Sequence, residues 1–164
     1  MNKLQIFTTG GTIDKVYFDA SSEFEVGEPT VEHILREAQV NFEFQVQSLM
    51  RKDSLEITDE DREIIRQAVA ACACEHVLIT HGTDTMARTA EALAGIPGKT
   101  IVLTGALSPA RFRATDAVFN VGLAIGALHG APHGAYLAMN GMIFKAGKVH
   151  KNVQTKRFEP DSEA

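Results

Sequence analysis

Short apolar runs alternate along this chain with stretches whose apolar residues recur at helical spacing. Residues 4–7, 77–80, 100–103 and 134–139 are brief and apolar, as expected of strands buried on both faces, and residues 42–50 alternate in the period-2 manner of a strand. Between them lie four predicted helices. The first, 31–38, opens at Thr30. The second opens at Thr58-Asp59-Glu60-Asp61, a start that resembles a capping box, and aligns Ile64, Ile65, Ala68, Val69 and Cys72 on one face. The third, 85–94, stops at Gly95, and the fourth covers 115–128. Strand and helix in alternation, joined by right-handed crossovers, predict a doubly wound α/β fold with a mainly parallel sheet of the Rossmann or flavodoxin type.

Two regions fall outside that alternation. Residues 14–29 carry Tyr17, Phe18, Phe24 and several acids, and read as an N-terminal β-hairpin or flap. Residues 158–164 are acidic and contain Pro160, so they read as a loosely held tail after a single α/β domain spanning 1–157.

At 164 residues, 45% of them hydrophobic, the chain can bury a sizeable core. Sixteen basic against 21 acidic residues give a net charge of −5 with no basic stripe, which argues against nucleic acid as a partner. No stretch looks like a signal peptide and no apolar run reaches membrane-spanning length, so a cytoplasmic protein is expected, without membrane partners. Cys72 and Cys74 lie two apart on the second predicted helix and face different ways, and the histidines show no ligand spacing. Neither a disulfide, a metal nor any other cofactor is expected.

The chemistry concentrates where strands end. Thr8-Thr9-Gly10-Gly11-Thr12-Ile13 follows the first strand, and Thr80-His81-Gly82-Thr83-Asp84-Thr85-Met86 follows the third. Strand carboxyl ends are where open α/β sheets bind ligands. Gly10 and Gly11 let the backbone approach a ligand closely. They lack the third glycine of a dinucleotide fingerprint, and no P-loop lysine follows them. Amide hydrolysis needs a nucleophile, a proton acceptor, a donor to the leaving group and a place for the oxyanion. Thr12 offers a nucleophilic hydroxyl and Tyr17 a phenol that becomes a base if its pKa falls. Thr83, Asp84 and Lys151 offer a second hydroxyl, an acid and an amine, which desolvation can turn into a base. Backbone N–H groups at Gly82-Thr83 can hold an oxyanion or a carboxylate. Each residue also has a plainer role: Thr83 and Asp84 as helix caps, Lys151 as one of several solvated lysines, Ser54 as a turn cap, Asp53 as surface charge, His81 as a packed strand-end residue, and Arg111-Phe112-Arg113 as a solvated loop.

Thr9-Gly10-Gly11-Thr12-Ile13 and His81-Gly82-Thr83-Asp84-Thr85-Met86 resemble the two signature segments of the bacterial-type L-asparaginases. Met139-Asn140-Gly141 followed by Lys151-Asn152 resembles the family segment that ends in a catalytic lysine, and Thr104-Gly105-Ala106 resembles a family strand end. The matches run in family order from residue 4 to about residue 155. The resemblance implies an amidohydrolase that converts L-asparagine to L-aspartate and ammonia, with minor or no activity on glutamine and no cofactor. It makes Thr12 the primary nucleophile, Thr83, Asp84 and Lys151 a triad, and Ser54 the group that holds the substrate's α-carboxylate. Gly11, Asp53, Ser54, Gly82, Thr83 and Asp84 are thus expected around the substrate, and Thr12, Tyr17, Thr83, Asp84 and Lys151 in the chemistry.

Three departures qualify the implication. Phe24 falls where a register anchored on Val26-Gly27 puts the family's flap tyrosine, with Tyr17 on the other strand of the flap as the alternative. Leu55 takes a position that is polar in many relatives. The chain stops where the connection to the family's second, C-terminal domain would begin, which fits either a one-domain version or a shortened chain. That domain brings an acid to the substrate's ammonium in relatives; Asp53, Glu25 and Glu28 are the candidates to replace it. Homo-oligomerisation, to a dimer or larger, is expected because the surface covered in relatives is exposed here. The competing reading is an amino-acid-binding or assembly module that kept the fold and lost catalysis.

Overall fold

The computed structural model describes residues 1–18 and 23–161. Its centre is a six-stranded sheet built from β1 (Lys3–Gly10), β4 (Glu43–Lys52), β5 (His76–Thr80), β6 (Thr100–Thr104), β7 (Gly134–Met139) and β8 (Met142–Lys145), in the spatial order β4-β1-β5-β6-β7-β8. The first five strands are parallel, and β8 turns back antiparallel on β7. This is the expected α/β fold in its flavodoxin-like order, with the direction of winding reversing between β1 and β5. The second and third strands of the chain, β2 (Lys15–Phe18) and β3 (Glu23–Val26), pair as the expected hairpin.

The continuous apolar runs reflect burial on both faces of the sheet. Phe7, Val77, Ile79, Ile101, Leu103, Leu137 and Met139 pack against α2 (Asp59–Ala71) and α3 (Met86–Leu93). Their alternating neighbours Leu4, Ile6, Leu78, Val102, Tyr136 and Ala138 pack against α1 (Val31–Glu37) and α4 (Ala117–Gly130). Thr58 caps α2 in a reciprocal box with Asp61, as its sequence predicts. Among the described residues, no helix is long and apolar enough to cross a membrane.

Two local expectations are corrected. Cys72 and Cys74 are not on a helix. The chain turns extended at Cys72, the C-cap of α2, and the Lys99 ammonium donates to the carbonyls of Cys72 and Cys74 at 2.5 and 2.7 Å, fixing that turn. The residues assigned to the start of a loose tail are ordered as well. Arg157–Pro160 forms β10, paired with β9 (Val149–Asn152), and Phe158 is only 4% exposed within the core on the α2–α3 side. One buried aromatic ring outweighs the acidic composition of its surroundings; residues 162–164 lie outside the described residues.

Candidate active site

The chain reversal after β1 is built by glycine. Gly11 sits at φ +87, and a Cβ there would run into the Gly82 backbone, so the two signature segments touch through a contact that only glycine permits. Thr12 then opens a single 3-10 turn, Thr12–Asp14. The Gly11 N–H donates to the Lys52 carbonyl at 3.0 Å, the Asp14 N–H to the Gly11 carbonyl at 3.1 Å, and the Ala110 N–H to the Ile13 carbonyl at 3.1 Å. Thr12 is therefore held on both sides by a fixed backbone while its own side chain stays half-exposed.

The second segment leaves β5 at His81, which is completely buried. Its ring bridges the Gly82 carbonyl, 2.7 Å from Nδ1, and the Thr89 hydroxyl, 2.9 Å from Nε2. A carbonyl only accepts, so Nδ1 carries the proton and Nε2 accepts from Thr89, whose oxygen in turn accepts from Arg62 Nε at 3.2 Å. Burial pushes the imidazole pKa down to about 4, so His81 is a neutral strut for the Gly82-Thr83 peptide.

Neither Thr83 nor Asp84 caps a helix, because α3 begins at Met86 with Thr85 as its N-cap. Ser54 lies beneath the segment, 1% exposed; its Oγ accepts the Asp84 N–H at 3.1 Å, and its carbonyl accepts the Thr85 hydroxyl at 2.7 Å. A Cβ on Gly82 would stand 2.6 Å from that of Ser54. Lys151, carried on β9, then reaches both groups: its ammonium donates to Thr83 Oγ1 at 2.8 Å and to Asp84 Oδ1 at 2.5 Å.

A cleft of about 270 Å³ brings Thr12, Thr83, Asp84 and Lys151 together, with Leu107, Val153 and Lys156 completing its lining. A larger hollow of about 570 Å³, lined by Thr30, His33, Glu37 and Arg111 among others, carries none of the signature residues. Tyr17 is separate from the cleft: 51% exposed, it lines another hollow together with Glu25, Glu28 and Arg51. Phe24 pairs with Tyr17 through the backbone of the β2–β3 hairpin, and its side chain lies outside the described residues.

The acids divide by environment. Burial pushes the Asp53 carboxyl up, but hydrogen bonds from Lys15 and from the Leu55 N–H outweigh it and hold its pKa below the ordinary value. Asp53 ion-pairs with Lys15 at 2.7 Å and caps a 3-10 turn at Ser54–Glu56. Asp14, 2% exposed, is dominated by burial, which raises its pKa to about 6 even though the Thr30 N–H and hydroxyl both donate to its Oδ1 at 2.8 Å. The sequence reading missed Asp14, Thr89 and Arg62 as supports, and Leu107, Val153 and Lys156 as lining. The one available signal was Asn152, a turn-forming residue four positions before Lys156.

A flavodoxin-like sheet thus carries a hydroxyl–amine–carboxylate set beside its switch point, where open α/β sheets bind ligands. The family model described as Asparaginase, N-terminal, matches residues 3–160, and the chain belongs to that family. An L-asparaginase of Thermococcus kodakarensis is 32% identical over 161 residues, covering 91% of this chain and 47% of that protein. The structure of the thermostable L-asparaginase from Thermococcus kodakarensis superposes with a TM-score of 0.82 at 27% identity, over 96% of this chain and 51% of the other. L-asparaginase I from Vibrio cholerae gives a TM-score of 0.83 at 25% identity, over 99% and 52%. The chain thus spans about half the length of these relatives.

Proposed function

We propose that the cleft hydrolyses the side-chain amide of L-asparagine to L-aspartate and ammonia, with Thr12 as the nucleophile and little or no activity on glutamine. The observation that supports this most is the set formed by Thr83, Lys151 and Asp84, at 2.8 and 2.5 Å, sharing one cleft with Thr12. Family membership supports asparaginase-type amidohydrolase chemistry. The Thr12 oxygen attacks the amide carbon; a C–O bond forms, the C–N bond breaks, and ammonia leaves with the hydroxyl proton. Water then adds to the ester, the bond to Thr12 breaks, and the hydroxyl is restored. As Lys151 passes a proton to Asp84, its amine is free to take one from Thr83, whose oxygen can draw a proton from the attacking group. The Thr83 N–H, held by the His81 contact to the Gly82 carbonyl, is the proposed oxyanion donor.

Under this reading Thr12, Thr83, Asp84 and Lys151 carry the chemistry, and Gly11, Gly82, Asp53 and Ser54 shape and support the substrate site. Tyr17 enters only if the hairpin moves toward the cleft. A cytoplasmic homo-oligomer belongs to the same reading, and exposed Val118, Phe119, Met142 and Ile143 support self-association. Thr12→Ala and Thr83→Val, checked for folding by circular dichroism and assayed for ammonia release, test the mechanism. Each is expected to lose roughly a thousandfold or more in turnover. Wild-type turnover in both variants would refute it.

A further inference from the structure

Away from the cleft, just before the amino ends of β5 and β6, a buried lysine meets a cysteine. Lys99 is only 8% exposed, and its ammonium has three N–H donors. Two of them go to the carbonyls of Cys72 and Cys74, at 2.5 and 2.7 Å, and Cys72 Sγ lies 3.7 Å from the same nitrogen. The nitrogen is thus held by backbone through two donors and faces sulfur with the third. When the third proton leaves, the lone pair that replaces it is aimed at Sγ.

The two thiols occupy different settings. Cys72 is half-buried and packs on the α2–α3 side of the core, with Sγ 3.3 Å from the Val69 carbonyl. Cys74 instead lines a hollow of about 430 Å³ together with Met1, Asn2, Lys3 and His76. A disulfide would need the two side chains to turn toward each other across a bend that Lys99 fixes by both carbonyls. Lys99, not Cys74, is therefore placed to capture an oxidised Cys72 sulfur.

We propose that Cys72 and Lys99 form a modification site at which peroxide makes a reversible S–N bond, a sulfenamide, between the two side chains. Hydrogen peroxide transfers one oxygen to the Cys72 sulfur: an S–O bond forms, the O–O bond breaks and water leaves. The sulfur is oxidised by two electrons to a sulfenic acid and the peroxide is reduced. Lys99 releases one proton to solvent and its nitrogen attacks the sulfur. The S–N bond forms, the S–O bond breaks, and hydroxide leaves as water with a second proton from the nitrogen. This capture stops the sulfur short of sulfinic acid, which thiols do not reverse. A thiol reductant returns two electrons, breaks the S–N bond and restores both side chains, itself becoming a disulfide. Neither residue lines the amide cleft, so the site stands apart from the amide-hydrolysis reading.

The test treats the full chain with a small molar excess of hydrogen peroxide, blocks free thiols, digests with trypsin without reductant and maps the peptides by mass spectrometry. Trypsin otherwise cuts after Arg66, Arg88, Lys99 and Arg111. The expected product joins residues 67–88 to residues 89–111, uncut after Lys99, two hydrogens lighter than the two peptides together and separated by dithiothreitol. The joined product should persist in Cys74→Ser and be lost in Cys72→Ser and in Lys99→Arg. A disulfide between Cys72 and Cys74, a sulfinic acid at Cys72 with normal cleavage after Lys99, or an unreacted Cys72 in the wild type overturns the proposal, whether or not the variants fold.

Discussion

Asp14, directly after the first signature segment, and His81, at the start of the second, are both buried, and their proton affinities shift in opposite directions. Burial raises Asp14 from 3.8 to about 6. Its contribution to stability is fully present below the unfolded value and is lost as the pH rises through the folded one. Burial lowers His81 from 6.5 to about 4, so its contribution is present above 6.5 and is lost as the pH falls through 4. At 1.36 kcal/mol per pKa unit, each effect amounts to about 3 kcal/mol, and the two windows nearly coincide. The two linkages should therefore offset each other in the native protein, leaving a shallow stability profile from pH 4 to 6.5.

Asp14→Asn removes one side of that balance. The amide oxygen can still accept from Thr30, but no charge is left to desolvate. The variant is expected to be more stable than the wild type at pH 7.5 by about 1–3 kcal/mol and to match it near pH 4. At roughly 2–4 °C per kcal/mol for a chain of this size, the melting temperature at pH 7.5 should rise by several degrees. Its profile should fall steeply between pH 6.5 and 4, where His81 alone now acts. Thermal melts followed by circular dichroism across pH 4–8 measure this. A variant less stable than the wild type at pH 7.5, with an unchanged pH slope, would show that Thr30 and the nearby Arg111 and Arg51 outweigh the burial of the carboxylate, and would refute the reasoning.

Further outcomes follow from the site. Lys151→Met should lower kcat in the ammonia assay far more than it raises KM, because Lys151 contacts the Thr83 hydroxyl and the Asp84 carboxylate; a pure KM effect would reassign it to binding. Ser54→Ala leaves the Asp84 N–H without its acceptor, so it should cost about 1–2 kcal/mol in chemical denaturation and also raise KM; an unchanged midpoint and KM would remove Ser54 from the site's support. Phe158→Ala should cost about 3–5 kcal/mol by the same measurement, whereas removal of a loose tail would cost nothing.

The parts of the fold legible in the sequence were those whose burial is two-sided. β5, β6 and β7 are covered by helices on both faces, which leaves no polar alternation to blur the apolar run. β8, β9 and β10 have four residues each and mixed polarity, as in Met142–Lys145 and Arg157–Pro160, so nothing periodic marks them. Phe158 shows the limit plainly: one side chain decides whether a segment is ordered, while composition averages it with its acidic neighbours. Thr12, Thr83, Asp84 and Lys151 were legible as a group through their motifs, and the structure brings them into one cleft. Ser54, expected at the substrate's carboxylate, is buried, and its Oγ accepts the Asp84 N–H. Chain proximity tied Tyr17 to Thr12, yet β2 carries the ring into a different hollow.

What makes the cleft possible is backbone contact between segments about seventy residues apart. β1 and β5 are neighbours in the sheet, with Thr8 in register with Thr80, so their carboxyl ends emerge side by side. Ordinary side chains at the next few positions would force the two loops apart. Gly11 against Gly82, and Gly82 against Ser54, leave no room for a Cβ, and that closeness puts the Thr12 turn beside Thr83. The buried His81 ring then uses both of its nitrogens within the fold, so it braces the Gly82-Thr83 peptide without being available as a base. In the proposed reaction the proton traffic passes instead to Lys151, which arrives from a hairpin anchored by one phenylalanine. The reactive set thus depends on three packing devices, a glycine contact, a neutral imidazole and an aromatic anchor, none of which needs to touch the substrate.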